Sequence, residues 1–184
     1  SINDMFDLAR GFDRASLPEG NRVGILTNAG GPAILAVDEC ANNNLSVPEL
    51  TPATQEKLRS IAPPEASVYN PVDLLPPADA SMYAKASAIM LGDKNIDSLI
   101  IILGPPLMFD TLEIARSICE AVKGSGKPVM LVLMSQDDII PRLKNLTSDY
   151  PPIFRFPEDA ARVIAKMFTY RKWKEHPEGN YIKF

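Results

Sequence analysis

Short runs of hydrophobic residues alternate along this chain with longer segments whose hydrophobic positions repeat at helical spacing. Most of the runs are hydrophobic at nearly every position, which is typical of strands buried on both faces of a sheet. Strands are predicted at residues 22–27, 45–48, 96–103, 128–134 and 153–156. Helices are predicted at about residues 4–15, 32–42, 51–61, 81–91, 111–122 and 137–146, with a last one from residue 157.

Strands that alternate with helices predict right-handed β–α–β units, which make the strands parallel and cover both faces of the sheet. The predicted fold is α/β: a three-layer, flavodoxin-like, doubly wound parallel sheet with strand order 2-1-3-4-5. We assign residues 19–175 to this domain, residues 1–18 to a connector helix from a preceding domain, and residues 176–184 to a tail. The proline-rich stretch 62–80 predicts a long loop.

The turn after the first strand, Thr27-Asn28-Ala29-Gly30-Gly31-Pro32, is rich in glycine and opens a helix; we call residues 27–32 the glycine turn. Glycine permits a positive φ and a close backbone approach, and a helix N-terminus offers unpaired N–H groups to an anion. The turn therefore predicts a phosphate-binding site formed by Asn28, Ala29, Gly30, Gly31, Ala33 and Ile34. A turn needed only for packing the strand against the helix explains the glycines equally well.

Two further segments are expected beside this turn, because the carboxyl ends of parallel strands meet at one end of the sheet, called the carboxyl edge below. One is Asn70-Pro71-Val72-Asp73, and the other is Gly104-Pro105-Pro106. We predict that a substrate contacts Asn70, Asp73, Gly104, Pro105 and Pro106. The alternative for the first segment is an Asn-Pro turn with a solvated aspartate. Asp110 or Thr111 is expected to cap the next helix.

Composition narrows the classes of function. A net charge of −4 offers no electrostatic footprint for nucleic acid, and we expect no membrane contact because no apolar run has the length of a membrane span. Both cysteines fall in predicted amphipathic helices, which predicts buried thiols and a cytoplasmic location. The only histidine, His176, lies in the polar tail, and the sequence has no Ser/His/Asp set and no metal-ligand cluster. We therefore expect no catalytic residue and no metal site in this chain.

Four motifs follow one another in a specific order along the chain. They are Thr-Asn-Ala-Gly-Gly-Pro at 27–32, Pro-Pro-Glu-Ala-Ser-Val at 63–68, Asn-Pro-Val-Asp-Leu at 70–74 and Phe-Arg-Phe-Pro-Glu-Asp-Ala-Ala at 154–161. Each is modest alone, but the ordered set resembles the ADP-forming acyl-CoA (acetyl-CoA) synthetases, which belong with the succinyl-CoA synthetases. The resemblance covers nearly the whole chain and implies the third, flavodoxin-like CoA-ligase domain of such an enzyme.

The resemblance also implies a chemistry. The family converts acyl-CoA, ADP and phosphate reversibly into a carboxylic acid, ATP and CoA, and the phosphate passes through a histidine of another domain. Gly30, Gly31 and Pro32 match the helix start that helps to hold this phosphohistidine. The loops at 70–74 and 104–110 match those near the acyl substrate.

The implied partners are CoA-binding and histidine-bearing domains of the same protein, an ATP-grasp domain or subunit, and a small carboxylic acid. CoA, ATP or ADP, and Mg²⁺ are implied for the full enzyme, and this domain alone is expected to bind none of them. The main alternative is a ligand-binding regulatory domain of an acyl-CoA-synthetase-like protein acetyltransferase. A flavodoxin-like flavin carrier is disfavoured, because no Ser/Thr-rich phosphate loop follows the first strand.

Overall fold

The computed structural model describes residues 2–105, 109–134 and 139–175. Its strands are β1 (Val23–Thr27), β2 (Val72–Asp73), β3 (Ser98–Leu103), β4 (Val129–Leu133) and β5 (Ile153–Phe154). Its helices are α1 (Ile2–Arg14), α2 (Gly30–Asn42), α3 (Pro52–Arg59), α4 (Ala80–Leu91), α5 (Thr111–Val122), α6 (Ile139–Leu146) and α7 (Pro157–Glu175). Pro106 and His176 lie outside the described residues.

The strands form one parallel sheet in the order β2-β1-β3-β4-β5, which confirms the predicted fold and strand order. The three central strands are buried along their whole length. Successive side chains of a strand point to opposite faces, so Leu26 joins the core under α3–α6 while Ile25 joins the core under α2 and α7. The sheet is therefore the middle of three layers.

The prediction of a second strand at residues 45–48 was wrong. This segment makes only an isolated parallel bridge, between Ser46 and Arg22, because Pro48 has no N–H with which to continue a ladder. The second strand is instead Val72–Asp73, inside the stretch 62–80 that was predicted to be a loop. It pairs with Leu26 and Thr27 at the carboxyl end of β1.

The side chain of Asn70 fills the gap between these two short pairings. Its Oδ1 accepts a hydrogen bond from the Ile25 N–H at 2.9 Å, and its Nδ2 donates to the Val23 carbonyl at 2.9 Å. Nδ2 also donates to the Pro48 carbonyl at 2.8 Å. The amide thus replaces a backbone peptide group beside β1, where a buried N–H or carbonyl would otherwise lack a partner.

Side chains begin the helices largely as expected. Thr51 caps α3, with Pro52 in its first position. The carboxylate of Asp110 accepts the Leu112 N–H at 2.9 Å and caps α5, as predicted. Helix α4 begins one residue earlier than predicted, because Asp79 caps it by accepting the Met82 N–H at 2.8 Å.

Helix α1 lies on the outer side of α7. A Cβ added at Gly11 would lie 3.3 Å from Met167 Sδ and still closer to Val163 Cγ1, so the two helices cross in close contact at this glycine. Arg10 Nη1 donates to the Ile153 carbonyl at 2.8 Å and ties α1 to β5. The role predicted for residues 1–18, a connector helix from a preceding domain, stays a prediction.

We predict that Asn70→Ala destabilises the fold. The substitution removes three hydrogen bonds and leaves backbone groups of β1 without partners, so the free energy of unfolding should fall by about 1–3 kcal/mol. Urea unfolding followed by circular dichroism measures this change. Asn145→Ala, at an exposed position of α6, is the matched control and should be close to neutral. Equal stabilities of the two variants would contradict the role of Asn70.

Candidate functional site

The glycine turn leaves the start of α2 open. The N-cap residue, Ala29, has extended backbone angles, and no side chain caps the helix. The N–H of Ala29 donates to Thr27 Oγ1 at 3.0 Å, and Pro32 has no N–H to offer. The backbone N–H groups of Gly30 and Gly31 therefore stand open in the first turn, where the positive end of the helix dipole lies. Ala33 is buried, and its N–H falls at the position that bonds to the Ala29 carbonyl.

The two glycines of the turn do not use the positive φ that glycine permits. Among the described glycines only Gly124 has a positive φ. A Cβ added at Gly31 would meet nothing within 4 Å, and one at Gly30 would lie 3.4 Å from Asp73 Oδ2. Packing therefore leaves room for a Cβ at both positions. What the glycines provide is an exposed stretch of backbone at the helix start, which a ligand can approach closely.

Asn28 and Gly104 support the turn from inside. Asn28 is only 3% exposed. Its Oδ1 accepts the Gly104 N–H at 2.9 Å, and its Nδ2 donates to the Gly104 carbonyl at 3.3 Å. A Cβ on Gly104 would lie 3.1 Å from the Ala29 Cβ. These contacts join the carboxyl ends of β1 and β3, so the amide of Asn28 and the backbone of Gly104 face each other instead of a ligand.

A buried tyrosine completes this support, and the sequence analysis missed it. Tyr83 Oη donates to the Ile102 carbonyl at 3.0 Å, and the backbone N–H of Asn28 faces the same hydroxyl. Burial, and then the charge of Asp73, raise the pKa of Tyr83 well above its ordinary value, so the hydroxyl keeps its proton. Its position within the predicted helix 81–91 carried no sign of this bond.

Asp73 and Asn70, predicted together, occupy different places. Asp73 Oδ1 accepts the Leu75 N–H at 2.9 Å, and Oδ2 faces Gly30, so the carboxylate lies beside the start of α2. Leu75 has a positive φ of 67°, a costly conformation for leucine that clusters at functional sites. The amide of Asn70 instead uses all its hydrogen bonds on the backbone near β1. Pro105 is exposed at the carboxyl edge.

Exposed hydrophobic side chains surround the polar backbone of the turn. Ile34 and Leu35, in the first turns of α2, are 58% and 48% exposed, and Phe109 is 41% exposed before α5. All three stand near helix N-termini at the carboxyl edge. Exposed hydrophobic side chains grouped at one end of a domain are typical of a surface that contacts another protein domain.

Residues 23–173 match the family described as the Ligase-CoA domain. The chain belongs to this family. Over 165 residues it is 38% identical to the alpha subunit of acetate–CoA ligase [ADP-forming] II from Pyrococcus furiosus, a match that covers 88% of this chain and 36% of that protein. It is 27% identical over 184 residues to 4-hydroxybutyrate–CoA ligase [ADP-forming] from Nitrosopumilus maritimus, covering 100% of this chain and 26% of that protein. These relatives confirm the resemblance that the motifs predicted.

A solved structure has the same fold as this Ligase-CoA domain. It is the dinucleotide-forming acetyl-coenzyme A synthetase 1 of Ca. Korarchaeum cryptofilum, in complex with phosphate and ADP, with a TM-score of 0.85. The match covers 96% of this chain and 38% of that one, at 23% identity, and so shows the fold alone. The chain spans well under half the length of each of these three proteins.

A cluster of charged side chains lies at the opposite end of the sheet. The guanidinium of Arg22 donates to Asp97 at 2.9 and 2.6 Å, and Asp93 accepts from the backbone and hydroxyl of Thr51 at 2.8 Å. Burial acts to raise the pKa of both carboxyls, but these hydrogen bonds outweigh it and hold the pKa of each below its ordinary value. The carboxylates are fully engaged, so this cluster is structural.

Other candidate chemistry is sparse in the described part of the Ligase-CoA domain. No group of three His, Cys, Asp or Glu residues in residues 2–105, 109–134 and 139–175 is arranged to hold a metal ion. Cys40 and Cys119 are buried free thiols, as predicted, and burial raises the pKa of each to about 12. None of the described helices is both long and apolar enough to cross a bilayer.

We predict opposite effects for two alanine substitutions in the Ligase-CoA domain. Gly104→Ala forces β1 and β3 apart at their carboxyl ends and should cost about 1–3 kcal/mol of stability through overpacking. Gly31→Ala meets open space in a helix, where alanine is better than glycine by about 0.5–1 kcal/mol, so stability should stay equal or rise. Thermal unfolding of both variants measures the contrast. A comparable loss in both would mean that packing requires Gly31.

Proposed function

We propose that this chain is a domain of an ADP-forming acyl-CoA synthetase, and that the start of α2 holds the phosphoryl group of a phosphohistidine carried by another domain. The overall reaction is the reversible conversion of acyl-CoA, ADP and phosphate into a carboxylic acid, ATP and CoA. The names of the relatives support the reaction class. They also support a ligase over the regulatory alternative.

The observation that carries the phosphate role is the uncapped, exposed start of α2. Single charge–dipole contacts at a helix terminus are worth about 0.3–1 kcal/mol, so more than one donor must act. The backbone N–H groups of Gly30 and Gly31 are the proposed donors. Ala33 and Ile34, also predicted, are left out, because their N–H groups fall at the positions that bond to carbonyls within the helix. The alignment of the two glycine N–H groups along one helix start allows them to stabilise charge on a phosphoryl group without reorganisation during transfer.

The proposed division of labour follows from what the described residues offer. Backbone donors stabilise negative charge but cannot accept a phosphoryl group, which needs a nucleophile. Mg²⁺ prefers clustered oxygen ligands, and the described residues provide no group of three carboxylates for it. We therefore assign the nucleophilic histidine and Mg²⁺ to other domains or subunits of the protein, and with them CoA and the nucleotide that takes part in the reaction.

The acyl substrate is proposed to lie near Asp73 and the loop that begins at Gly104 and Pro105. Their position beside the glycine turn supports this assignment. Asn70 is left out of the site, because its amide is engaged with the backbone near β1. The identity of the acid is not specified by the family, since the relatives act on acetate and on 4-hydroxybutyrate by name.

We predict that this chain alone folds but makes no acyl-CoA. Its sheet is covered on both faces by its own helices, which supports independent folding. The test incubates the purified chain with γ-labelled ATP, Mg²⁺, CoA and acetate. Acid-labile label on His176, or thioester above background, would contradict the proposal. Activity that appears when the missing domains are added in trans would support it.

We predict that Gly31→Val in the full-length protein impairs phosphoryl transfer and not folding. A branched side chain would cover the exposed backbone, and the rate of histidine phosphorylation should fall about 10²-fold, the size of losing an oxyanion-type contact. Gly126→Val, at another glycine with open space around its Cβ, is the matched control. A collapse in melting temperature with normal activity per folded molecule would show that Gly31 is structural.

A further inference from the structure

A groove of about 220 Å³ lies beside β5, at the far side of the sheet from β2. Four basic side chains line it: Arg10 and Arg14 from α1, Lys144 from α6, and Arg155 after β5. Its remaining lining is Tyr150 and two isoleucines, Ile140 and Ile153. We call it the basic groove.

The charged residues that line the basic groove are basic. Among residues 2–105, 109–134 and 139–175 no acidic residue lines it, although the chain as a whole carries a net charge of −4. Arg10 pairs with Asp7 at 3.1 Å, whereas the contact of Arg14 with Asp13 is 3.7 Å long and Asp13 is 75% exposed. A long, exposed pair such as that of Arg14 with Asp13 contributes little. Basic groups from three separate parts of the chain thus meet at one place and repel one another.

The groove is also preorganised. The Arg14 guanidinium lies 3.8 Å from the centre of the Tyr150 ring, and Lys144 Nζ lies 5.8 Å from it. Arg10 is held by its 2.8 Å bond to the Ile153 carbonyl. Side chains that are already ordered lose less entropy when a ligand binds.

We propose that the basic groove binds a small phosphate-bearing polyanion through its di- or triphosphate group. Guanidinium forks match phosphate oxygens in geometry and charge. The groove is smaller than the roughly 300–1,000 Å³ of pockets that enclose drug-sized ligands, so it fits the phosphates and leaves any attached nucleoside outside. The phosphates come either from free pyrophosphate or from a nucleotide.

The basic groove is separate from the proposed phosphohistidine site. β5 lies three strand spacings from β1, and with about 4.8 Å per spacing the two sites stand roughly 14 Å apart across the sheet. The inference goes beyond the proposed function and does not depend on it. It adds a second anion site to the Ligase-CoA domain, at a position from which the ligand contacts α1, α6 and β5 together.

The test is a titration of the ¹⁵N-labelled chain with sodium pyrophosphate, and separately with ADP, at constant ionic strength. We expect amide shifts at Tyr150, Ile153 and Lys144. Lys144→Glu should weaken binding at these amides by about tenfold or more, as the loss of a charge-assisted contact does. Lys57→Glu on α3, an exposed lysine with the same change of charge, should bind as the unchanged chain does. Thermal unfolding checks that both variants are folded.

Each outcome decides the proposal. Saturable shifts in the basic groove that Lys144→Glu weakens support it, and the tighter binder of the two probes identifies the source of the phosphates. Equal weakening by Lys57→Glu would indicate bulk charge and overturn it. Shifts confined to Gly30 and Gly31 would overturn it while leaving the proposed function intact, and shifts at neither place would overturn it as well.

Discussion

The close approach of β1 and β3 at their carboxyl ends is the constraint on which the candidate site depends. Two hydrogen bonds between the Asn28 side chain and the Gly104 backbone hold the strand ends together. A Cβ at position 104 would lie 3.1 Å from the Ala29 Cβ, which is closer than an ordinary van der Waals contact. Tyr83 supports the same strand ends by donating a hydrogen bond to the Ile102 carbonyl of β3. The chain leaves β1 in one defined direction, and α2 therefore begins with its N–H groups exposed at the carboxyl edge.

An open helix start is a structural liability that a function has to justify. Most helices satisfy their first N–H groups with a capping side chain, and Thr51, Asp79 and Asp110 do so elsewhere in this domain. At α2 the N-cap is alanine, and Ile34 and Leu35 add exposed apolar surface beside it. An uncapped helix start with exposed hydrophobic side chains beside it is a surface on which another protein domain could bury apolar area.

The edges of the sheet are closed by side chains as much as by strands. At one edge the Asn70 amide bridges two short pairings beside β1, and at the other Arg10 binds the outer carbonyl of β5. Unpaired strand edges invite association with other chains, so these contacts keep the sheet confined to its own strands. The arginines at the β5 edge also line the basic groove. The hydrogen bond from Arg10 to the Ile153 carbonyl places one of these positive charges there.

The sequence by itself determined the fold class, the strand order, the helix caps at Thr51 and Asp110, and the family. These depend on hydrophobic periodicity and on short motifs, which are local properties of the chain. The second strand was predicted at the wrong place. The local pattern of 45–48 is close to that of a strand, but contacts across the sheet decide which segment pairs with β1. Tertiary structure also decided the roles of individual residues. The polar groups of Asn28, Gly104 and Asn70 are bonded inside the domain, whereas the backbone of Gly30 and Gly31 is exposed. The sequence could not show this, because the partners of these polar groups lie dozens of residues away along the chain and are adjacent only in space.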